Sequence, residues 1–192
     1  MWELMPPKAK YGLSIGISIL IFLLYKECFK FPFARSLSFT ISTVTILAWL
    51  FGKYLWKYIY FGMFKRNFCP DFNGTWTATI KSNFSQNTQV EFPLKIEADF
   101  FSVKMTGNTT IGRTYTNLCK IVRAEDDSFE LVYMFRVMND SPSDSDAVFY
   151  EGAARLRVVD IDSMKMVGVF WTNRCWQNNL NTAGSITLTK QS

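Results

Sequence analysis

Two short stretches unite a guanidinium with aromatic rings, the side-chain set that recognises a flat anion. Gly112–Tyr115, "GRTY", places Arg113 two residues from Tyr115. Trp171–Trp176, "WTNRCW", encloses Arg174 between two indoles. Arginine pairs bidentately with phosphate, and tyrosine or tryptophan stacks on a base for about 1–3 kcal/mol. Asn117 and Asn173 carry amides able to read base edges. Both clusters could approach one rim of a closed sheet. If the connections alternate strictly, their ends differ.

Catalytic chemistry is poorly supplied. The 192 residues include no histidine, which removes His-dependent triads and most zinc sites. No P-loop, GxSxG or metal-ligand spacing occurs. The carboxylates of "RAEDDS" and "NDSPSDSD" read as solvated turns. Four scattered cysteines (28, 69, 119, 175) without CxxC spacing read as free thiols in a reducing compartment. A binding protein without cofactor or metal is therefore expected, not an enzyme.

The elements that position these clusters follow from periodicity. Beyond Asp71 no 3.6-residue pattern appears. Eight alternating runs do: 74–82, 88–98, 100–106, 111–123, 128–138, 147–159, 164–173 and 184–190. Turn residues divide them, which predicts an antiparallel meander closed into a small eight-stranded barrel. A two-sheet sandwich is the alternative architecture. Parity sends Trp76, Phe92, Leu94, Phe101, Leu131 and Phe170 inward and the charged residues outward. Tyr133 and Tyr150 put hydroxyls on the inside. Parity carried back from Ile121 puts Cys119, Asn117, Tyr115 and Arg113 inward as well. Small residues at Ala78, Gly152, Ala154 and Gly168 leave room for a ligand. A packed core with tyrosines reaching the barrel ends fits the same pattern.

Ahead of the strands lies a different material. The net charge of +5 is unevenly spread: residues 1–66 carry nine Lys/Arg against two acids, leaving twelve Lys/Arg and fourteen Asp/Glu beyond. The later part thus lacks the basic face of a polymeric nucleic-acid binder. Tyr11–Tyr25 and Ser36–Gly52 are uncharged and apolar, flanked by lysines and aromatic residues. They predict two transmembrane helices, about 9–31 and 34–58, forming a hairpin within residues 1–66. The barrel then occupies 67–192. The first apolar run alone covers about 22 Å, short of the roughly 30 Å hydrocarbon core, and Lys10 and Lys26 can snorkel. The outer flanks hold Lys8, Lys10, Lys53, Lys57, Lys65 and Arg66; the connector holds Lys26, Lys30 and Arg35. Positive-inside counting places both termini in the cytoplasm. Gly12 and Gly16 form a small-xxx-small face for close helix packing, within the hairpin or between chains.

Gly74-Thr75-Trp76 opens the first strand as a lipocalin does, with Trp76 plugging one end and Arg174 expected to cover it. The rest of the lipocalin pattern is missing. The two spans, the Lys65-Arg66 exit, "DFNGTWTATI" and "VGVFWTNRCWQ" together resemble another family. It comprises the two-transmembrane, β-strand-rich effectors (CD-NTase-associated) of bacterial CBASS anti-phage operons, which accompany a cyclic-oligonucleotide synthase. The resemblance implies a cytoplasmic barrel that binds a cyclic dinucleotide. Ligand-driven homo-oligomerisation would then bring the spans together among inner-membrane lipids and kill the infected cell. The contacts expected from chemistry and parity are Arg113, Tyr115, Asn117, Tyr133, Tyr150, Trp171, Asn173, Arg174 and Trp176. A membrane-tethered barrel holding a lipid or other apolar ligand is the alternative, and a packed barrel serving as an adaptor is a third.

Overall fold

The computed structural model describes residues 1–59, 68–83, 89–109, 111–142 and 146–191. Lys65 and Arg66, and with them the 66/67 boundary, lie outside the described residues, as do parts of the turns at 84–88 and 143–145. A 3-10 turn at Trp2–Leu4 precedes two long helices. Helix α1 (Pro7–Leu23) begins at a proline, whose missing N–H is not needed in a first turn. It continues as a π-helical turn over Leu24–Cys28. Helix α2 (Phe33–Leu50) likewise starts directly after Pro32 and continues through Phe51–Leu55 and Trp56–Ile59.

The helices run longer than the uncharged stretches that announced them. Pro7–Cys28 has 22 residues and Phe33–Tyr58 has 26, both long and apolar enough to cross a membrane. At 1.5 Å per residue even the shorter covers about 33 Å. The deficit read from the uncharged run disappears because flanking residues, Lys26 and Glu27 among them, remain helical. The hairpin is held by the buried Ser36 and Thr40 and by a 2.8 Å hydrogen bond between the hydroxyls of Tyr25 and Thr43. Gly12 and Gly16 do not contribute: a Cβ at either would meet nothing within 4 Å.

Eight strands follow: β1 (Gly74–Ser82), β2 (Gln89–Ala98), β3 (Val103–Asn108), β4 (Gly112–Arg123), β5 (Phe129–Asn139), β6 (Phe149–Asp160), β7 (Lys165–Thr172) and β8 (Ala183–Lys190). Each pairs antiparallel with its sequence neighbours, and β1 pairs with β8, so the sheet is a closed barrel rather than a sandwich. Closure leaves no exposed edge. After Asp71 the only helical segment among the described residues is the 3-10 turn Trp176–Asn178.

The barrel has two unlike ends. At its base, where β1 begins, Gly74 adopts φ 133°, a conformation that L side chains rarely take, and the chain enters the sheet there. The fully buried Trp76 fills this end and donates its indole N–H to Phe72 O at 2.9 Å. Lys190, and not Arg174 as expected, covers the ring, its ammonium 5.9 Å from the centroid. Arg174 lies at the opposite end, because β7 ends at the rim where β1 also ends.

The base also meets the helices. The Trp2 amide donates to Phe100 O at 2.8 Å and the Phe100 amide donates to Gly52 O at 3.1 Å. Lys120 and Glu3 form an ion pair at 3.3 Å. Met1, Trp56, Cys69 and Phe72 belong to the same buried cluster as the barrel interior. Phe101, expected inside the third strand, sits in the β2–β3 turn, 44% exposed, with its ring against Gly52 and Trp2.

Candidate functional site

The rim opposite the helices opens into a cavity of about 210 Å³. Its wall is chiefly apolar, with Ile80, Phe92, Phe135, Val137, Phe170 and Ile186 prominent. Hydroxyls of Ser82, Thr109, Thr114, Thr172 and Thr182 join those of Tyr133 and Tyr150. Among the described residues that line it, Arg174 alone carries a charge. Small residues make the space. A Cβ on Gly152 would come within 2.6 Å of the Phe135 ring and of Trp171 O, so a side chain there would displace that ring.

Arg174 is fixed at the mouth. Its Nε donates to Asp146 Oδ1 at 2.8 Å and its Nη2 to Asp146 Oδ2 at 2.5 Å, a bidentate fork. The same guanidinium lies 5.3 Å from the Tyr150 ring centroid, within cation–π range. Both ion-pair side chains are largely buried, 15% and 16% exposed. The hydrogen bond from Arg174 holds the Asp146 carboxyl below its ordinary value, and the same bond raises the guanidinium. Burial pushes the Tyr150 phenol up, and it does the same to Tyr133 deeper in the barrel. Both phenols therefore stay protonated and able to donate at neutral pH. Burial, and then the charge of Glu3, lifts the Cys119 thiol to about 12, which keeps it protonated at neutral pH.

Of the nine residues expected to touch a ligand, the cavity collects three: Tyr133, Tyr150 and Arg174. The inward orientation expected for Arg113, Tyr115 and Asn117 is reversed. Below residue 118, Cys119 pairs with Tyr133 and Ile121 with Leu131; above it the register shifts, and Thr116 pairs with Phe135 and Thr114 with Val137. The extra residue at this β-bulge turns the upper half of β4 by one position. Thr114 thereby enters the cavity lining, while Arg113, Tyr115 and Asn117 point outward and are exposed. Asn117 instead donates to Glu151 Oε1 at 3.2 Å on the outer wall.

Trp171 follows the ordinary alternation of β7 and is 52% exposed. Asn173 accepts the Glu151 amide at 2.7 Å, and Trp176 stands 64% exposed on the rim turn. The start of β4 and the end of β7 share one rim, the first of the two arrangements considered, and they do so although the strands alternate strictly. Sequence reading missed the hydroxyl set of Thr109, Thr114, Thr172 and Thr182, and it missed Asp146. The threonines carry an apolar methyl beside the hydroxyl and so blend into strand alternation. Asp146 lies in a turn rich in Ser and Asp, where a single clamping carboxylate has no distinguishing signal.

No family model matches the chain. A curated protein of Escherichia albertii, CD-NTase-associated protein 15, is 65% identical to it over 191 residues, which is 100% of this chain and 98% of that one. That identity extends through both the apolar hairpin and the eight-stranded barrel, and it agrees with the resemblance drawn from the spans and the terminal aromatic–basic segment. The chain belongs to the CD-NTase-associated effector family of bacterial CBASS anti-phage systems.

Proposed function

We propose that the barrel is a receptor for a cyclic dinucleotide and that the hairpin is its membrane effector. The observation that carries this reading is the placement of Arg174 and Tyr150 together at the mouth of a cavity whose other described lining residues carry no charge. A guanidinium there meets a phosphate, and an aromatic ring beside it meets a base. The cavity, at about 210 Å³, falls below the roughly 300–1,000 Å³ that encloses a whole drug-sized ligand. It accepts one base among the threonine and tyrosine hydroxyls while the phosphates stay at Arg174 and the remainder lies on the rim. The outward Arg113 and Tyr115, and the rim residues Asn173 and Trp176, are then at most contacts to that remainder.

The two apolar helices anchor the chain in the bacterial inner membrane, with both termini and the barrel in the cytoplasm. Assembly follows from differential binding: a ligand that holds an associated state better than a single copy shifts the population toward it. Moving the ratio from 1:99 to 99:1 takes about 5.5 kcal/mol. Assembly then concentrates helices whose apolar faces are exposed, Tyr11 and Leu20 at 69% among them, and the bilayer fails.

Calorimetry of the full-length chain in detergent micelles, titrated with cyclic di-AMP, cyclic di-GMP, cyclic di-UMP and cyclic UMP–AMP, tests the reading. The full chain is needed because Met1 and Trp56 complete the barrel base. Saturable heat with at least one member is expected. Indifference to all four, with fatty acid recovered from the purified protein by mass spectrometry, would instead favour an apolar ligand in the largely apolar cavity.

A further inference from the structure

The barrel wall is incomplete between β3 and β4, and the chain ahead of α1 fills the gap. The two strands pair from Thr106–Tyr115 to Asn108–Arg113 and no lower. Thr116 ends the ladder: its hydroxyl accepts the Met105 amide at 3.0 Å and donates to Met105 O at 3.3 Å. Below it, among the described residues, β4 pairs with β5 alone down to Arg123. The 3-10 turn Trp2–Leu4 lies against this stretch. Glu3 reaches Lys120 of β4 at 3.3 Å. Met1, 5% exposed, and Leu4 pack into the cluster that fills the barrel. Met1–Leu4 thus serves as a short stave of the wall, although it belongs to the hairpin side of the chain.

We infer that this stave is a latch that restrains the hairpin until it is withdrawn from the wall. The inference rests on the membrane-effector reading above. Only Met5 and Pro6 separate the stave from α1, and Pro6–Pro7 fixes two consecutive φ angles, so displacement of the first span is passed on with little slack. One residue of the barrel holds both legs. Phe100, in the β2–β3 turn, accepts the Trp2 amide and donates its own amide to Gly52 O in the second leg. The Trp2 ring stands against Phe100 and Phe101, with centroids 6.0 and 5.9 Å away. A Cβ on Gly52 would lie 2.1 Å from the Phe101 ring, so the second leg meets the turn in close contact. The polar hold of the barrel on the first leg is one backbone bond and an ion pair whose side chains are 49% and 46% exposed. Contacts of that kind break without unfolding the sheet.

Both strands that grip the stave also reach the cavity. Lys120 follows Cys119, whose cross-strand partner Tyr133 lines the cavity. Phe92 and Leu94 line it from β2, the strand that leads into the Phe100 turn. A ligand that moves these side chains therefore acts on the stave's two attachments. By linkage, what ligand binding does to the latch, release of the latch does in return to ligand affinity.

Breaking and locking the Glu3–Lys120 pair tests the latch. Full-length chains are reconstituted into phosphatidylethanolamine–phosphatidylglycerol vesicles holding a self-quenched dye. Release is read without ligand and with the four cyclic dinucleotides. E3K and K120E each set like charges together, and each is expected to release about three- to tenfold more dye without ligand than wild type at equal protein density. The doubly reversed E3K/K120E chain restores opposite charges and is expected to return to the wild-type level. For the lock, a water-soluble carbodiimide is applied in micelles before reconstitution. It joins the Glu3 carboxyl carbon to Lys120 Nζ as an amide, and the lost oxygen and two protons leave on the carbodiimide as a urea. Peptide mass spectrometry verifies the link. The K120R control keeps the ion pair but offers no amine to the reagent. Locked wild type is expected to bind a dinucleotide by calorimetry without releasing dye, whereas treated K120R still releases it. This arm needs no charge-reversed chain to fold. Wild-type release from both single variants, no recovery in the double variant, or release from locked wild type equal to that from treated K120R would overturn the latch, and a dinucleotide that still triggers wild-type release would leave the receptor reading standing. Release that no dinucleotide triggers in wild type, alongside leaky single variants and a silent double variant, would leave the latch standing and remove the receptor reading.

Discussion

Arg174 and Asp146 lock together at the cavity mouth, Nε to Oδ1 at 2.8 Å, 28 residues apart in the chain. The carboxylate occupies the two prongs that a bidentate phosphate contact would use. In the receptor reading proposed above, Asp146 competes with the ligand's phosphate for Arg174. The D146N variant, which keeps the shape and removes the charge, is expected to bind the responding cyclic dinucleotide about tenfold more tightly, given the roughly 1.5–3 kcal/mol of a hydrogen bond to a charged group. Calorimetry of the full-length variant checks this, and unchanged or weaker affinity contradicts it.

Arg113 and Arg174 carry opposite expectations. Arg174 lines the cavity, and R174A is expected to lose about 10–100-fold in affinity, the equivalent of one charge-assisted contact. Arg113 points outward above the bulge, and R113A is expected to stay within about threefold of wild type. Cells expressing each variant beside the cognate synthase give the second readout. R174A should abolish ligand-dependent growth arrest and R113A should preserve it.

The clamp also sets a pH dependence. Because Arg174 holds the folded-state Asp146 carboxyl below its ordinary 3.8, the pair's contribution to stability is fully present above that value. It fades as pH falls through the lower, folded value. Thermal melts of wild type and D146N should therefore differ at pH 7 and at pH 5, and the gap should close as pH falls well below 3.8. A gap that persists in acid would show that the charge is not its source.

Filling the cavity should separate binding from folding. Val137 is 5% exposed and lines the cavity. V137F places a ring there instead of displacing packed neighbours, so the usual overpacking cost of about 1–3 kcal/mol should largely be avoided. The expected result is a melting temperature within about 5 °C of wild type, since 1 kcal/mol shifts a small domain by a few degrees, with ligand binding lost. Retained binding would place the ligand outside the barrel.

Much of this architecture is legible in the residues themselves. Period-two alternation and the turn residues between runs specify eight strands, and the observed bounds differ from the expected ones by a few residues at most. Leu94, Leu131, Leu156 and Leu188 must be buried, because a strand has only two faces and charged residues take the other. The apolar hairpin is equally local, a matter of uninterrupted composition. Tertiary structure decided what strand parity alone cannot. A single bulge near Asn117 turned Arg113 and Tyr115 outward and Thr114 inward, since one added residue reverses every side chain beyond it. Closure of the barrel chose Lys190 over Arg174 to cover Trp76, because the direction of each strand, not its composition, fixes which end a residue reaches. The pairing of Arg174 with a turn aspartate came from the same source: such a contact exists only once β6 and β7 lie side by side.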